Sequence, residues 1–233
     1  MTVAQRIENI RERMEKAACR SGRNPNEIRL MGVSKFQGAG KIEEAINAGL
    51  LLFGENKVQE AEEKFPSLKK NHSGLELHMI GSLQRNKAKR ALAVFDAVES
   101  LDRDELITAL RAGVKSETAD KPLTVLMELH TGEESKSGYP DLDSLTRGAE
   151  LVLSFPGLRL AGLMTMAPFT QDEAPLRKSF KALFNARETL RKRFPLPDLF
   201  CLSMGMSNDF ETAIEEGSTL IRIGTAIFGD RVQ

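Results

Sequence analysis

The feature that most constrains the fold is a regular alternation of short strand-like runs with helix-like stretches along almost the whole chain. Eight apolar runs predict strands, at residues 28–33, 51–54, 75–80, 94–99, 123–129, 158–164, 199–204 and 219–223. Strands separated by helices pair in parallel, because a parallel pair needs a long crossover connection. The chain has 233 residues, close to the roughly 250 that an eight-stranded α/β barrel typically takes. The pattern therefore predicts a (β/α)8 TIM barrel.

One helix-like stretch precedes the first strand and is extra to the barrel pattern. Val3, Ile7 and Ile10 recur at helical spacing, and the turn-forming run 21–25 ends this stretch. Residues 224–233 follow the eighth strand and are too few for a full helix. We therefore expect the opening helix to cover that part of the barrel wall, and the whole chain, 1–233, to form one domain.

An open, doubly wound sheet is the alternative fold. Such a sheet usually carries a glycine-rich phosphate turn after its first strand. Here Gly38-Ala-Gly40 stands in that place and does not reach the G-x-G-x-x-G form. The closed barrel is therefore preferred.

Charge and cysteine content narrow the class of function. Basic and acidic residues number 33 each, so no net charge favours nucleic acid or an anionic membrane. Cys19 and Cys201 lie far apart without metal-ligand spacing, which indicates reduced thiols and no metal site. No signal peptide and no apolar run long enough to cross a bilayer are present in the sequence. We expect a cytoplasmic monomer.

Lys35 lies where the first predicted strand runs out into a loop. Catalytic groups of such barrels sit at the carboxyl ends of the strands. An ammonium group there is partly desolvated, which frees its amine to attack an aldehyde and form an imine. An ordinary solvated lysine is the other interpretation, and position alone leaves both open.

Two further polar residues lie at the ends of neighbouring predicted strands. Asn56 closes the second strand and can hydrogen-bond a ring hydroxyl or the Lys35 amine, or it can cap the next helix. His78 lies in the third strand and can stack on a planar ligand or orient another group. It can equally be a core histidine with satisfied hydrogen bonds.

The last two strands end in glycine turns that can bind an anion. Ser203, Gly205 and Ser207 lead from the seventh strand towards a helix, and Gly224 and Thr225 follow the eighth. Backbone N–H groups beside a helix start can hold a phosphate, and phosphate sites of this fold are often built after these two strands. Plain glycine turns are the alternative.

Arg222 can face the barrel interior by strand alternation. A buried arginine needs an acceptor, which is either a carboxylate in a structural pair or an aromatic ring nitrogen. Arginine keeps its proton, so a pyridine nitrogen facing it stays unprotonated and the ring is a weak electron sink. Amine, phosphate turn and arginine together describe a site for an aldehyde-bearing phosphorylated pyridine.

Short motifs at several strand ends resemble one known family, the pyridoxal phosphate homeostasis proteins, which are single barrels similar to the N-terminal domain of alanine racemase. The motifs are Val33-Ser-Lys35, Phe53-Gly-Glu-Asn56, His78-Met-Ile-Gly81, Glu134-Ser-Lys-Ser-Gly138, Gly162-Leu-Met164, Ser203-Met-Gly-Met-Ser207 and Arg222-Ile-Gly224. The resemblance covers nearly the whole chain. It departs after Lys35, where many relatives have a proline-containing loop and this chain has Phe36-Gln-Gly-Ala-Gly40.

The resemblance implies specific roles for these residues. Lys35 would carry pyridoxal 5′-phosphate as an internal aldimine, and Arg222 would meet the ring nitrogen. The turn 203–207 and the pair Gly224-Thr225 would bind the phosphate. The implied function is to keep free pyridoxal phosphate low and to supply it, with apoenzymes that use it as possible recipients and with little or no turnover.

Two enzymatic alternatives stay open. A racemase of the alanine racemase type needs a second acid or base on the other face of the cofactor, and in alanine racemase an additional domain supplies it. Here Tyr139, the single tyrosine, is a weak candidate for that group, and a loop-packing role is preferred. The second alternative is a Schiff-base aldolase that uses Lys35 without a cofactor. It is less favoured, because such an enzyme would not need Arg222.

Overall fold

A closed barrel of eight parallel strands forms the centre of the computed structural model, which describes residues 1–114, 122–132, 137–194 and 198–229. Each strand pairs with the next one along the chain, and the first pairs with the last. The strands are β1 (Arg29–Val33), β2 (Leu52–Glu55), β3 (Glu76–Met79), β4 (Ala97–Leu101), β5 (Leu123–Glu128), β6 (Leu158–Met164), β7 (Cys201–Ser203) and β8 (Leu220–Ile223). The predicted (β/α)8 barrel is confirmed.

Helices alternate with the strands, and their apolar faces pack with outward-facing strand residues in one large apolar layer. They are α1 (Val3–Arg20), α2 (Ala39–Asn47), α3 (Val58–Asn71), α4 (Ala88–Val94), α5 (Asp104–Gly113), α6 (Leu142–Leu153), α7 (Glu173–Arg193), α8 (Phe210–Glu215) and α9 (Thr225–Phe228). Short 3-10 turns lie at Pro25–Glu27 and Arg85–Lys87. None of the described helices is both long and apolar enough to cross a membrane.

The opening helix closes the part of the wall that the end of the chain leaves uncovered. Thr2 caps α1 in a capping box with Gln5, and the apolar face of α1 is buried. After β8 only the four-residue helix α9 follows among the described residues. Helix α1 packs against α9 as well as against its neighbours α2 and α8, as the sequence predicted.

The barrel interior is divided into an apolar and a polar part. Met31, Leu52 and Leu220 form a small apolar cluster inside the barrel, near the amino ends of β2 and β8. Gly54 is tightly enclosed above it, because a Cβ there would lie 2.6 Å from Met31 Sδ. The inward positions nearer the carboxyl ends include Glu99 and Arg222, both buried. The buried polar side chains therefore lie towards the carboxyl ends of the strands, where active sites of this fold occur.

The fourth and seventh strands differ from their predicted bounds. Val94 and Phe95 belong to the end of α4, where the Phe95 N–H donates to Ala91 O at 2.9 Å, so β4 begins only at Ala97. Periodicity does not separate a short apolar helix end from a strand, which explains this error. Strand β7 is only three residues long, within the predicted run 199–204.

Candidate functional site

Most of the predicted site residues lie on four strands that are neighbours around the barrel. Lys35 follows β1, Asn56 follows β2, Ser203 ends β7 and Arg222 lies in β8. Gly224 directly follows β8, and a Cβ built on it would lie 3.5 Å from Val33 Cβ in β1. Barrel closure therefore brings residues from both ends of the sequence to one side of the carboxyl end.

Lys35 is half-buried and lies in a tight turn. It comes two residues after Val33, and strand alternation aims it to the same side as the inward-facing Met31. Phe36, the next residue, has a φ of +64°, a left-handed conformation that is uncommon for residues other than glycine. Its N–H donates to Glu60 Oε2 at 3.1 Å, so a side chain of α3 holds the turn in this conformation.

A cluster of three charged residues, the Lys64 cluster (Glu55, Glu60 and Lys64), holds this turn from outside the barrel. Lys64 Nζ lies 2.6 Å from Glu55 Oε1 and 3.4 Å from Glu60 Oε2, and it donates to Ser34 O at 3.1 Å. Ser34 Oγ donates to Glu55 Oε1 at 2.7 Å. Burial raises the pKa of Glu55, and Lys64 opposes that effect. The two residues that flank Lys35 are thus tied to one ionic cluster.

Asn56 is not the cap of the following helix. Helix α3 begins at Val58 with Lys57 in the capping position, so the cap interpretation of Asn56 was wrong. The Asn56 Oδ1 atom is buried and has no hydrogen-bond partner among the described residues. Gly81 packs so closely that a Cβ on it would lie 2.6 Å from Asn56 O. A buried amide oxygen without a partner is expected where a ligand supplies the missing donor.

Arg222 is buried and hydrogen-bonded to oxygen atoms of two neighbouring strand ends. Its Nη1 donates to Ser203 O and to Ser203 Oγ, both at 2.7 Å, and its Nη2 donates to Thr165 O at 2.8 Å. Among the described residues it forms no direct ion pair with a carboxylate, so the proposed structural pair is not what holds it. Of the five guanidinium N–H groups, these contacts use three. The Nε–H and one Nη2–H remain for a ligand acceptor.

His78 lies in the barrel interior between two carboxylates. Its Nδ1 is 2.6 Å from Glu99 Oε1, and its Nε2 is 3.6 Å from Glu76 Oε2. Burial alone would lower the pKa of His78, but the nearby Glu76 carboxylate and the hydrogen bond to Glu99 raise it to about 9. His78 is level with Gly54 and Val33 in the sheet register, below the level of Lys35. Of the predicted roles, the geometry favours orienting another group, and direct contact with a ligand stays a prediction.

Glu99 is a site residue that the sequence reasoning missed. It lies in β4, is fully buried, and accepts hydrogen bonds from His78 on one oxygen and from Ser203 Oγ on the other, the latter at 2.5 Å. Burial acts to raise its pKa, yet the contact with His78 and the charge of Arg222 lower it overall. The available signal was a carboxylate within an otherwise apolar strand.

Glu128 is a second residue that was missed. It ends β5, which lies opposite β1 in the barrel order, and only 2% of it is exposed. Burial raises the pKa of Glu128 to about 7, and the nearby charge of Arg222 opposes this rise. Ser137 Oγ lies 3.1 Å from both carboxylate oxygens. The rule that working groups lie at carboxyl ends of strands would have found it.

The predicted phosphate turn is built around a glycine in a left-handed conformation. Gly205 has a φ of +97°, and a Cβ on it would lie 2.6 Å from Ala213 Cβ, so only glycine fits there. The Met206 N–H donates to Asp209 Oδ1 at 2.5 Å, which fixes the turn. Ser207 Oγ accepts a hydrogen bond from the Ala226 N–H at 3.4 Å. This last contact places the turn beside Gly224 and the exposed Thr225 at the start of α9.

Tyr139 has a packing role, as preferred from the sequence. It is buried, and its hydroxyl donates to Asp104 Oδ1 at 2.8 Å. Burial and this contact raise the pKa of the phenol. Residues 133–136, which carry most of the motif ending at Gly138, lie outside the described residues. In the part of the chain that is described, no cluster of three side chains suited to bind a metal occurs.

Comparison with known proteins identifies the class of this barrel. The sequence profile of the family described as "Alanine racemase, N-terminal domain" matches residues 6–232. Two full-length relatives are each called "Pyridoxal phosphate homeostasis protein". The protein from Aquifex aeolicus is 38% identical over 99% of both chains. The protein from Vibrio cholerae is 40% identical over 99% of this chain and 97% of its own. The chain therefore belongs to the alanine racemase N-terminal domain family, and within it to the pyridoxal phosphate homeostasis proteins.

Solved structures agree with this assignment. The structure of PipY from Synechococcus elongatus with pyridoxal phosphate bound has a TM-score of 0.84 and 30% identity, covering 98% of this chain and 100% of PipY. Alanine racemase from E. faecalis has a TM-score of 0.72 and 18% identity, and this chain covers 59% of that protein. The racemase shares the fold.

The Lys64 cluster yields a prediction about stability. We expect Lys64→Met to lower the free energy of unfolding by about 3 kcal/mol, because it leaves the Glu55 carboxylate buried without its cation. Lys69→Met is the matched control on the same helix. Lys69 pairs with the partly exposed Asp96 at 2.6 Å, and such surface pairs contribute about 1 kcal/mol or less. Urea unfolding of both variants measures the difference, and equal losses would contradict the assigned role.

The His78 charge yields a prediction about pH. Its pKa is raised to about 9 in the folded protein, so the folded state binds an extra proton and the stabilisation is complete below the unfolded value of about 6.5. This stabilisation is lost as the pH rises through 9. We expect the free energy of unfolding to fall by roughly 3 kcal/mol between the unfolded and the folded pKa of His78. Urea unfolding at pH 6 to 10 measures it. In His78→Gln the fall should be absent, and the same fall in that variant would refute the assignment.

Proposed function

We propose that this protein binds pyridoxal 5′-phosphate covalently through Lys35 and acts in its homeostasis inside the cell, with little or no catalytic turnover. The observation that carries this proposal is the meeting of Lys35, Arg222 and the turn 203–207 at one side of the carboxyl end. It is supported by full-length relatives named for this function and by PipY, whose structure contains the cofactor.

The residues present suit this cofactor. Asn56 has a buried amide oxygen that lacks a partner, and Arg222 has two N–H groups that described protein acceptors do not use. Gly205 allows the turn 203–207 to pack closely on α8, because any side chain there would collide with Ala213. Gly205, Ser207, Gly224 and Thr225 would hold the phosphate. The predicted phosphate contact of Ser203 does not fit, because its buried hydroxyl is hydrogen-bonded to Glu99 and Arg222. The site thus offers a matching group for each part of the ligand.

Roles within the site follow from the chemistry of each side chain. When bound, pyridoxal phosphate supplies an aldehyde that condenses with an amine and a ring that can accept electrons. Lys35 provides the amine, and the Lys64 cluster fixes the turn that carries it. Arg222 donates towards the ring nitrogen and keeps its own proton. A ring nitrogen that receives no proton limits electron withdrawal, which supports binding over turnover.

Racemization is the alternative, and it needs a second acid or base. The Tyr139 hydroxyl donates to Asp104 and is not available for that role. Glu128 has a pKa of about 7 at the rim and is the described residue that a racemase would have to use. Its carboxylate accepts the single hydroxyl hydrogen of Ser137, which lies 3.1 Å from both oxygens, and keeps lone pairs for other donors. Glu128 is therefore the residue to test for racemization.

The partners follow from the same proposal. A protein that holds pyridoxal phosphate reversibly can pass it to apoenzymes that require it. We propose a cytoplasmic monomer for this exchange. The balance of 33 basic and 33 acidic residues supports the expectation that nucleic acid and membranes are not its partners.

Trapping the adduct tests the covalent site. We expect incubation with pyridoxal phosphate to give a yellow protein, and borohydride reduction followed by mass spectrometry to locate the adduct on Lys35. Lys35→Ala should stay colourless because it lacks the amine. Lys57→Ala, which removes an exposed lysine at the same rim, should behave like the wild type. An adduct on another lysine, or a colourless wild type, would overturn the proposal.

Hydrogen exchange separates the two functions. We expect the protein loaded with pyridoxal phosphate to show no repeated α-hydrogen exchange or racemization of L-alanine in deuterated water, because a ring nitrogen that faces Arg222 would receive no proton. Nuclear magnetic resonance and chiral chromatography measure both. An authentic alanine racemase serves as the positive control. Clear multiple turnover that disappears in Glu128→Gln would establish the racemase alternative instead.

A further inference from the structure

A row of hydrogen bonds inside the barrel joins a fully buried carboxylate to the arginine of the site. Glu99 Oε2 accepts from Ser203 Oγ at 2.5 Å, and Ser203 Oγ lies 2.7 Å from Arg222 Nη1. All three residues are buried, at 0%, 0% and 4% exposure. Glu99 and Arg222 therefore act on each other through one hydroxyl group.

The chemistry of that hydroxyl sets the direction of both contacts. A serine hydroxyl has one hydrogen and two lone pairs. The guanidinium can only donate, so Ser203 Oγ must accept from Arg222, and its single hydrogen is free to point elsewhere. The Glu99 carboxylate can only accept when ionised, and it lies where that hydrogen must go. An ionised Glu99 thus keeps the lone pair of Ser203 directed at Arg222.

We propose that Glu99 is a positioning residue, whose carboxylate holds the Ser203 hydroxyl in the orientation that fixes the Arg222 guanidinium towards the ligand. This inference rests on the proposed function for the identity of the ligand. Ser203 O and Thr165 O each hold one hydrogen of the guanidinium, and the Ser203 hydroxyl holds the second Nη1 hydrogen, so three of the five N–H groups have a fixed acceptor. The two remaining N–H groups of Arg222 then have a fixed direction. A ring nitrogen can accept a hydrogen bond from them without first ordering the arginine side chain.

The neighbouring carboxylate Glu76 provides a matched comparison. Like Glu99, it faces His78, at 3.6 Å from Nε2. It lies at the amino end of β3 and also pairs with Arg29 at 2.8 Å. No contact joins it to Ser203 in the described structure. A change at Glu76 alters the charge around His78 but leaves the hydrogen bonds from Glu99 through Ser203 to Arg222 intact.

The first test uses the ligand-free protein. Slow rotation of a fixed guanidinium gives separate nuclear magnetic resonance signals for the hydrogens on each Nη, and Arg222→Lys assigns them. We expect two distinct Nη1 signals in the wild type and in Glu76→Gln. In Glu99→Gln the signal of the Nη1 hydrogen that Ser203 Oγ holds should shift and exchange faster with water, while Ser203 O keeps the other Nη1 hydrogen. The Nη2 hydrogen held by Thr165 O is the internal reference. Unchanged Nη1 signals in Glu99→Gln would overturn the proposal.

The second test uses the protein loaded with pyridoxal phosphate. In Glu99→Gln we expect the Lys35 adduct to form, the visible circular dichroism of the bound ligand to change, and affinity to fall roughly 10-fold or more. Glu76→Gln should keep wild-type affinity and circular dichroism. Equal effects of the two variants would show a general effect of the negative charge around His78 and refute the positioning role. If the wild type forms no adduct, the proposed function fails, and the ligand-free spectra still decide the role of Glu99.

Ser203 supplies the final control. If Glu99 acts through Ser203, the double variant of Glu99→Gln and Ser203→Ala should bind no more weakly than Ser203→Ala alone, whereas additive losses would contradict the path. Should Glu99→Gln not fold, Ser203→Ala keeps the carboxylate and removes the same link. The Nη1 signal that shifts in Glu99→Gln should then shift in Ser203→Ala as well, and wild-type Nη1 signals in Ser203→Ala would reject the proposal.

Discussion

The positive charge of Arg222 lies inside a barrel where water does not solvate it, and the site is arranged around that charge. A buried cation is tolerated only when hydrogen-bond acceptors surround it. Ser203 and Thr165 supply them from two adjacent strand ends, and the Glu99 carboxylate supplies the compensating charge through one hydroxyl. His78 balances the other side of that carboxylate. The polar interior is thus one connected system.

Strand alternation separates this system from the one that holds Lys35. Arg222, Glu99 and His78 point into the barrel, whereas Glu55 points outward and meets Lys64 of α3. The arginine is therefore positioned from within the barrel, and the turn that carries the lysine is positioned from its outer wall. Two independent networks hold the two ends of one proposed ligand, so a change in one network leaves the other in place.

The fold was predictable because it depends on periodicity, which is a local property of the sequence. Lys35 and the glycine turns could be placed for the same reason, since each follows a recognisable strand end. Glu99 was missed although it ends the predicted run 94–99, because its role depends on contacts with residues of β3 and β7 that only the closed barrel brings together. The two interpretations of Asn56, ligand contact or helix cap, stayed open for a similar reason. The sequence cannot decide whether Asn56 or Lys57 caps α3, and the structure gives that position to Lys57.

The charge state of the interior explains why this site suits binding. An arginine that cannot release its proton leaves a facing ring nitrogen neutral, whereas a carboxylic acid or imidazolium in that place could protonate it. The one imidazolium nearby, His78, is directed to Glu99 and Glu76 and lies below the level of Lys35. Its proton is held by two carboxylates, because they raise its pKa to about 9. The interior thus keeps its protons away from the ligand, and a ligand bound there would be held in a form of low reactivity.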